Sequence, residues 1–127
     1  MRHLVFDLDF TLIDEDKQLY PGLFDLLHRL KREGNHLSIA SFNGSARTIL
    51  TMLKVSELFD IIIGYISFDK RKHLIAIKDF YGVDFDDMYF FDDDIFNIID
   101  AKILGMNVIH IEGGLCEKDI KDVFKHE

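Results

Sequence analysis

The sequence predicts an α/β fold: a central, mostly parallel five-stranded sheet with helices on both faces, a three-layer sandwich. Three observations predict it. Short apolar runs of strand length alternate about five times with amphipathic stretches of helical period. Those runs are apolar at consecutive positions, as strands covered on both faces must be. And 48% of the 127 residues are apolar, enough for a core that needs no disulfide or metal to hold it. At this length the expectation is one domain over residues 1–127.

The elements follow in order. Leu4-Val5-Phe6 is the first strand. Pro21 suits the first turn of a helix whose apolar face is Leu23, Phe24, Leu26, Leu27 and Leu30, with Gly34 as its stop. His36 to Ala40 is the second strand, and Ser45 or Asn43 caps a helix carrying Ile49, Leu50, Met52 and Leu53. Ile61-Ile62-Ile63 is the third strand, followed by a helix through Leu74, Ile75, Ile77 and Phe80 that ends before Gly82. Met88 to Phe91 is the fourth, and its helix runs through Ile95, Ile98, Ile99 and Leu104 to Gly105. Asn107 to Ile111 is the fifth, and a last amphipathic piece holds Ile120, Val123 and Phe124. Repeated strand–helix units of this kind wind into a Rossmann-like sheet, whose ligands sit at the carboxyl ends of the strands.

Charge narrows the classes of partner. Fifteen Lys+Arg against 23 Asp+Glu give a formal charge of −8. An acidic surface repels phosphate backbones and anionic lipid, so nucleic acid and membrane are not the expected partners. It leaves room for a phosphorylated substrate at one local site. A single cysteine, Cys116, allows no internal disulfide, and the six histidines form no zinc-like spacing. Cys116 and the histidines read as structural. The opening residues meet Asp7 and Asp9 too soon for a signal-peptide core, and no apolar run has membrane-spanning length, so a cytoplasmic location is expected.

Polar residues at the strand exits carry the chemistry. The first strand ends in Asp7-Leu8-Asp9-Phe10-Thr11 and the second in Ser41, followed by Phe42 and Asn43. Lys70 lies shortly after the third strand, and the fourth ends in Asp92-Asp93-Asp94. Carboxylates directly after a buried strand are costly unless neutralised. A divalent cation neutralises them, and an all-oxygen ligand set suits Mg2+. Taken singly, each residue has a plainer reading: Asp-x-Asp is a solvated turn, Ser41 a helix cap, Lys70 a surface lysine. Arg71 and Lys72 beside Lys70 leave open which cation reaches the crevice. Asp84, Asp86 and Asp87 precede the fourth strand and read as an exposed acidic edge.

Taken together and in order, these residues resemble the motifs of the haloacid dehalogenase superfamily of phosphotransferases. Asp7, Asp9 and Thr11 match its first motif, Leu37 to Ser41 its second, Lys70 its third, and Asp92-Asp93 its fourth. The run Tyr89 to Asp94 followed by Asn97, together with an aromatic Phe10 where many relatives have glycine, is most similar to the small magnesium-dependent phosphatases. The resemblance implies phosphomonoester hydrolysis through an aspartyl-phosphate. It implies Asp7 as nucleophile and Asp9 as general acid and base. It implies Mg2+ on the Asp7 carboxylate, the Asp9 carbonyl and Asp93, with Asp92 or Asn97 acting directly or through water. Ser41 and Lys70 would hold and neutralise the phosphoryl group, and Thr11, Phe42 and Asn43 would complete the substrate site.

Relatives of this superfamily often carry a cap domain, but every interval here is filled by one helix and one strand. The resemblance therefore implies a capless, open site flanked by the Ile13-to-Tyr20 stretch, suited to phosphoprotein or a bulky phosphorylated metabolite. Water would then be excluded by the substrate or by a neighbouring subunit of a homo-oligomer. Two rivals remain: a phosphate-binding or regulatory module of the same fold without turnover, and a receiver-like phospho-acceptor domain. A receiver carries its lysine at the exit of the last strand, where this chain has His110-Ile111-Glu112-Gly113.

Overall fold

The computed structural model describes residues 2–124. Five strands, β1 (His3–Phe6), β2 (His36–Ser41), β3 (Ile61–Gly64), β4 (Met88–Asp92) and β5 (Asn107–His110), form one sheet in the order β3-β2-β1-β4-β5. All four neighbouring pairs are parallel, so the sheet is parallel throughout. Helices α1 (Leu23–Arg32), α2 (Ala46–Met52), α3 (Arg71–Tyr81), α4 (Ile95–Leu104) and α5 (Glu117–Phe124) follow the strands in turn. No further domain interrupts them among the described residues: β1 and β2 are joined through α1, and β2 and β3 through α2 and the 3-10 turn Ser56–Leu58. The expected five strands and five helices are observed among the described residues.

The pleat divides the strand residues between two cores. Leu4, Phe6, Leu37, Ile39 and Phe91 face α1, α2 and α5, with Leu27, Leu30, Leu50 and Ile120 filling that layer. Val5, Ala40, Met88 and Phe90 face α3 and α4, against Leu74, Ile77, Ile98 and Ala101. Each fully buried leucine contributes about 1.5–3 kcal/mol.

Two local expectations are corrected. Pro21 lies in the turn before α1, where Gly22 at φ 81° takes the N-terminal position; no side chain caps this helix. At α2, Ser45 occupies the cap position without a capping hydrogen bond. Asn43 makes the turn, its Oδ1 accepting from the Ser45 N–H at 2.8 Å.

Strand order reverses between β1 and β4: the chain first moves outward through β2 and β3, then returns to the other side. The loops after β1 and β4 therefore diverge, and they leave a crevice at the carboxyl edge. The β1 loop is tied down by later chain. The Leu115 N–H donates to the Thr11 carbonyl at 2.8 Å. Gly114 lies flat against Tyr20, whose ring atoms a Cβ would meet at 2.5 Å.

Candidate active site

Each side chain is placed by its strand exit. The Asp7 N–H donates to the Phe91 carbonyl at 2.9 Å, which carries the β1–β4 ladder one residue into the site. The chain then turns tightly, with the N–H groups of Thr11, Leu12 and Ile13 converging on the Leu8 carbonyl. Phe10 makes this turn at φ 62°, in the left-handed region that a glycine enters freely and a side chain does not. That is the physical reason glycine suits this position. The Phe10 ring stays half exposed at the rim.

Lys70 is the centre of the site. It stands immediately before α3, is 1% exposed, and its Nζ donates to Asp7 Oδ1 at 2.9 Å and Asp92 Oδ2 at 3.0 Å. The ring of Phe42 lies 4.8 Å from the same ammonium. Arg71 pairs with Asp69 on the surface, and Lys72 is exposed, so of the three adjacent cations Lys70 alone reaches the crevice.

Asp92 is fully buried with both oxygens engaged. Oδ1 accepts from the Asp94 N–H at 2.9 Å, and Oδ2 accepts from Lys70 and from Asn97 Nδ2 at 3.1 Å. Asp93 is half-buried beside Asp7. Between them sits Thr11, whose hydroxyl lies 3.3 Å from Asp7 Oδ2 and 3.5 Å from Asp93 Oδ1. Thr11 is fully buried, so the expected substrate contact is instead a strut behind the carboxylates. Asp94 caps α4, accepting from the Phe96 N–H at 2.8 Å.

Ser41 is 1% exposed and accepts from the Asn43 N–H at 3.0 Å, which leaves its own proton to donate. Asn43 Nδ2 donates to Asp9 Oδ2 at 3.1 Å, and Lys17 Nζ donates to Asp9 Oδ1 at 3.0 Å. Lys17 comes from the Ile13-to-Tyr20 stretch, and neither composition nor spacing signals it. His110, also unassigned from sequence, approaches the Asp93 carbonyl at 2.8 Å through Nε2. Its position opposite Asp92 in the β4–β5 register is a signal that strand exits alone could have supplied. His3, His36 and Tyr81 pack as a ring cluster, and buried His73 stacks on Tyr65, in structural roles. His126 lies outside the described residues.

Asp7, Asp9, Phe10, Ser41, Phe42, Asp92, Asp93, Asp94 and Asn97 line a crevice of about 160 Å³. A larger hollow of about 370 Å³ under Tyr65–Phe68 and Lys72 shares none of these residues. Ligand atoms of Asp7, Asp92 and Asp93 lie within 4.8 Å of one another. Burial pushes the Asp7 carboxyl up to about 6, against the pull of Lys70. Burial and the neighbouring Asp7 do the same to Asp92, and burial raises Asp93. One buried ammonium is too little charge for three carboxylates, so the site is electrostatically short of a cation. The exposed trio Asp84, Asp86 and Asp87 lies apart, with Asp84 and Asp87 capping the 3-10 turn Phe85–Asp87.

A family model described as acid phosphatase matches residues 12–126. The chain belongs to the acid phosphatase family. It is 28% identical over 137 residues to magnesium-dependent phosphatase 1 of Homo sapiens, covering 87% of this chain and 78% of that protein. A haloacid dehalogenase-like hydrolase of Streptococcus pneumoniae superposes with a TM-score of 0.81 at 14% identity, over 100% of this chain and 99% of that one. A haloacid dehalogenase phosphatase of Thermococcus onnurineus gives 0.80 at 15% identity, over 88% and 86%. At such identities the two structures speak for the fold. The acid phosphatase match makes the chain a phosphatase, acting on a phosphorylated substrate. The observed strand order also differs from the 2-1-3-4-5 order of receivers, which removes that rival. Among the described residues no helix is long and apolar enough to cross a membrane.

Proposed function

We propose that this family member hydrolyses phosphomonoesters with Mg2+ through an aspartyl-phosphate on Asp7, and that residues 1–127 act as one capless domain in the cytoplasm. The observation that carries the reading is the cluster of three carboxylates, two of them paired with one buried ammonium, at the strand-order reversal. The donor set fits a hard divalent ion: oxygen only, crowded, and under-neutralised by Lys70. Asp7, Asp93 and the Asp9 carbonyl would hold it, and Asp92, whose oxygens already accept from Lys70, Asn97 and the Asp94 N–H, would act through water. Bound there, the ion supplies the positive charge that lets a carboxylate approach a phosphate dianion.

The chain's own residues do the rest. A carboxylate oxygen of Asp7 bonds to phosphorus as the bond to the leaving oxygen breaks. Asp9, held by Asn43 and Lys17 at the crevice mouth, gives a proton to that oxygen and later takes one from the water that bonds to phosphorus as the Asp7–phosphorus bond breaks, freeing the carboxylate and phosphate. Ser41 donates its free hydroxyl proton to a phosphoryl oxygen, and Lys70 balances the charge that gathers there. Phe42 lines the crevice, Asn43 acts on substrate alongside Asp9, to which it donates, and Thr11 bridges Asp7 and Asp93. The open crevice without a cap favours phosphoprotein or a bulky phosphorylated metabolite. The lone cysteine agrees with a reducing compartment.

The test is hydrolysis of 4-nitrophenyl phosphate with and without excess EDTA. We expect turnover to vanish in EDTA and to return with Mg2+. Turnover that continues unchanged in EDTA overturns the metal's role, and no turnover under any condition favours the non-catalytic module.

A further inference from the structure

Helix α4 is apolar on both sides. Its inner side, Ile98 and Ala101, packs against the sheet. Its outer side carries Ile95 (46% exposed), Phe96 (74%), Ile99 (48%) and Ile103 (74%). The other helices expose at most two large apolar residues each, among charges: α1 turns Asp25 and Arg32 out beside Phe24, α3 turns Arg71, Lys72 and Asp79 out beside Ile75 and Phe80, and α5 turns out Lys118, Lys121 and Asp122. A contiguous apolar stripe on the outer side of a helix is a surface that ordinarily meets a partner. Yet nothing among the described residues covers the outer face of α4. Its four side chains present on the order of 500 Å² of apolar surface, at the top of the range for the largest patch on an ordinary monomer.

Spacing, charge and area identify the occupant. Phe96, Ile99 and Ile103 are three and four residues apart, the spacing by which two like helices interlock along a seam. Ile95 and Ile103 lie four residues to either side of Ile99, so a twofold axis through Ile99 brings the stripe onto itself. The −8 charge makes most of the surface repulsive to a second copy, but α4 carries only Asp100 and Lys102, which cancel. Two such stripes with their polar rims bury more than about 1,000 Å², the size at which a specific interface begins.

We propose that the chain forms a twofold dimer through the outer face of α4. The stripe starts at Ile95 and Phe96, next to Asn97, which lines the catalytic crevice. The second copy therefore stands beside the open mouth, where a capless fold otherwise admits water. This inference rests on α4 alone and does not depend on the catalytic reading.

Sedimentation of the full chain from micromolar to submillimolar concentration tests it. We expect a two-chain species whose dissociation constant rises at least about tenfold in Ile103→Asp, with the circular dichroism unchanged. Ile99→Cys in a Cys116→Ser background should oxidise to a linked pair. Met52→Cys, 77% exposed on α2 in the opposite layer, should not. A wild-type chain that stays monomeric throughout, or a dimer that Ile103→Asp leaves intact, overturns the proposal. If Ile103→Asp fails to fold, the cross-link decides: no enrichment of the Ile99→Cys pair over Met52→Cys overturns it equally.

Discussion

Lys70→Met is the sharpest probe of the site, because it removes a charge while nearly conserving volume. The ammonium is 1% exposed and lies 2.9 and 3.0 Å from two carboxylates that have little water of their own. Breaking a buried pair from one side costs about 3–5 kcal/mol. The sites themselves give the same scale. Burial already lifts Asp7 and Asp92 from 3.8 to about 6, worth about 3 kcal/mol per carboxyl, with Lys70 still in place to oppose it. Both folded values stand above the unfolded one, so the folded state binds more protons between pH 4 and 6. These groups therefore cost stability above about pH 6 and are relieved as pH falls toward 4. Without Lys70 the folded values climb further and the relief begins at higher pH. We expect urea unfolding in EDTA to show a loss of about 3–5 kcal/mol at pH 7.5 that shrinks by about half at pH 5. Added Mg2+ should restore part of the loss at pH 7.5 by binding the folded state alone. A loss below about 1 kcal/mol, equal at both pH values and indifferent to Mg2+, would refute the argument that these carboxylates are dry and crowded.

Further outcomes follow from the same geometry. Asp7→Asn should abolish turnover while the chain still folds, and phosphate trapped on any other residue by rapid quench would displace Asp7 from its role. Asp9→Asn should slow hydrolysis of alkyl phosphates more than of 4-nitrophenyl phosphate, whose leaving oxygen needs no proton; equal slowing would deny the acid role. In a Mg2+ titration of activity, Asp93→Ala should weaken the metal dependence. Asp94→Ala should lower only stability, by about 1 kcal/mol as a lost cap, and Asp87→Ala should leave both unchanged. Equal losses in the three would mean a diffuse acidic patch. Gly64→Ala should cost about 1–3 kcal/mol and reduce activity, because its Cβ would meet the Asn43 carbonyl at 2.6 Å and push aside the partner of Asp9; a neutral effect on both would refute that support.

The elements were legible because burial writes itself into short apolar runs and helical periods. The pairing of those runs was not: nothing in Leu4-Val5-Phe6 says that it lies between β2 and β4, since that choice is made by helices packing on both faces. In the site, Asp7, Ser41, Asp92 and Asp93 could be read because a strand exit fixes direction. Lys70 could not be told from Arg71 and Lys72, because the loop before α3 has no period. Thr11 misled for a related reason: its turn closes on the Leu8 carbonyl and rolls the hydroxyl inward. Lys17 left no trace in the pattern, since an ion pair with Asp9 depends on how the turn from Asp14 to Gln18 folds back.

The tie between Leu115 and the Thr11 carbonyl has a consequence for how the protein matures. The loop that bears Asp7 and Asp9 is synthesised about a hundred residues before the strut that finishes it. A nascent chain lacking β5 and Gly114 has the side chains of the candidate site but no backstop for the turn and nothing flat beside Tyr20. Assembly of the crevice is thus a late, long-range event that waits for sequence-distant contacts to close. Partly made chains on the ribosome carry the residues of the crevice before the contacts that finish its loop exist.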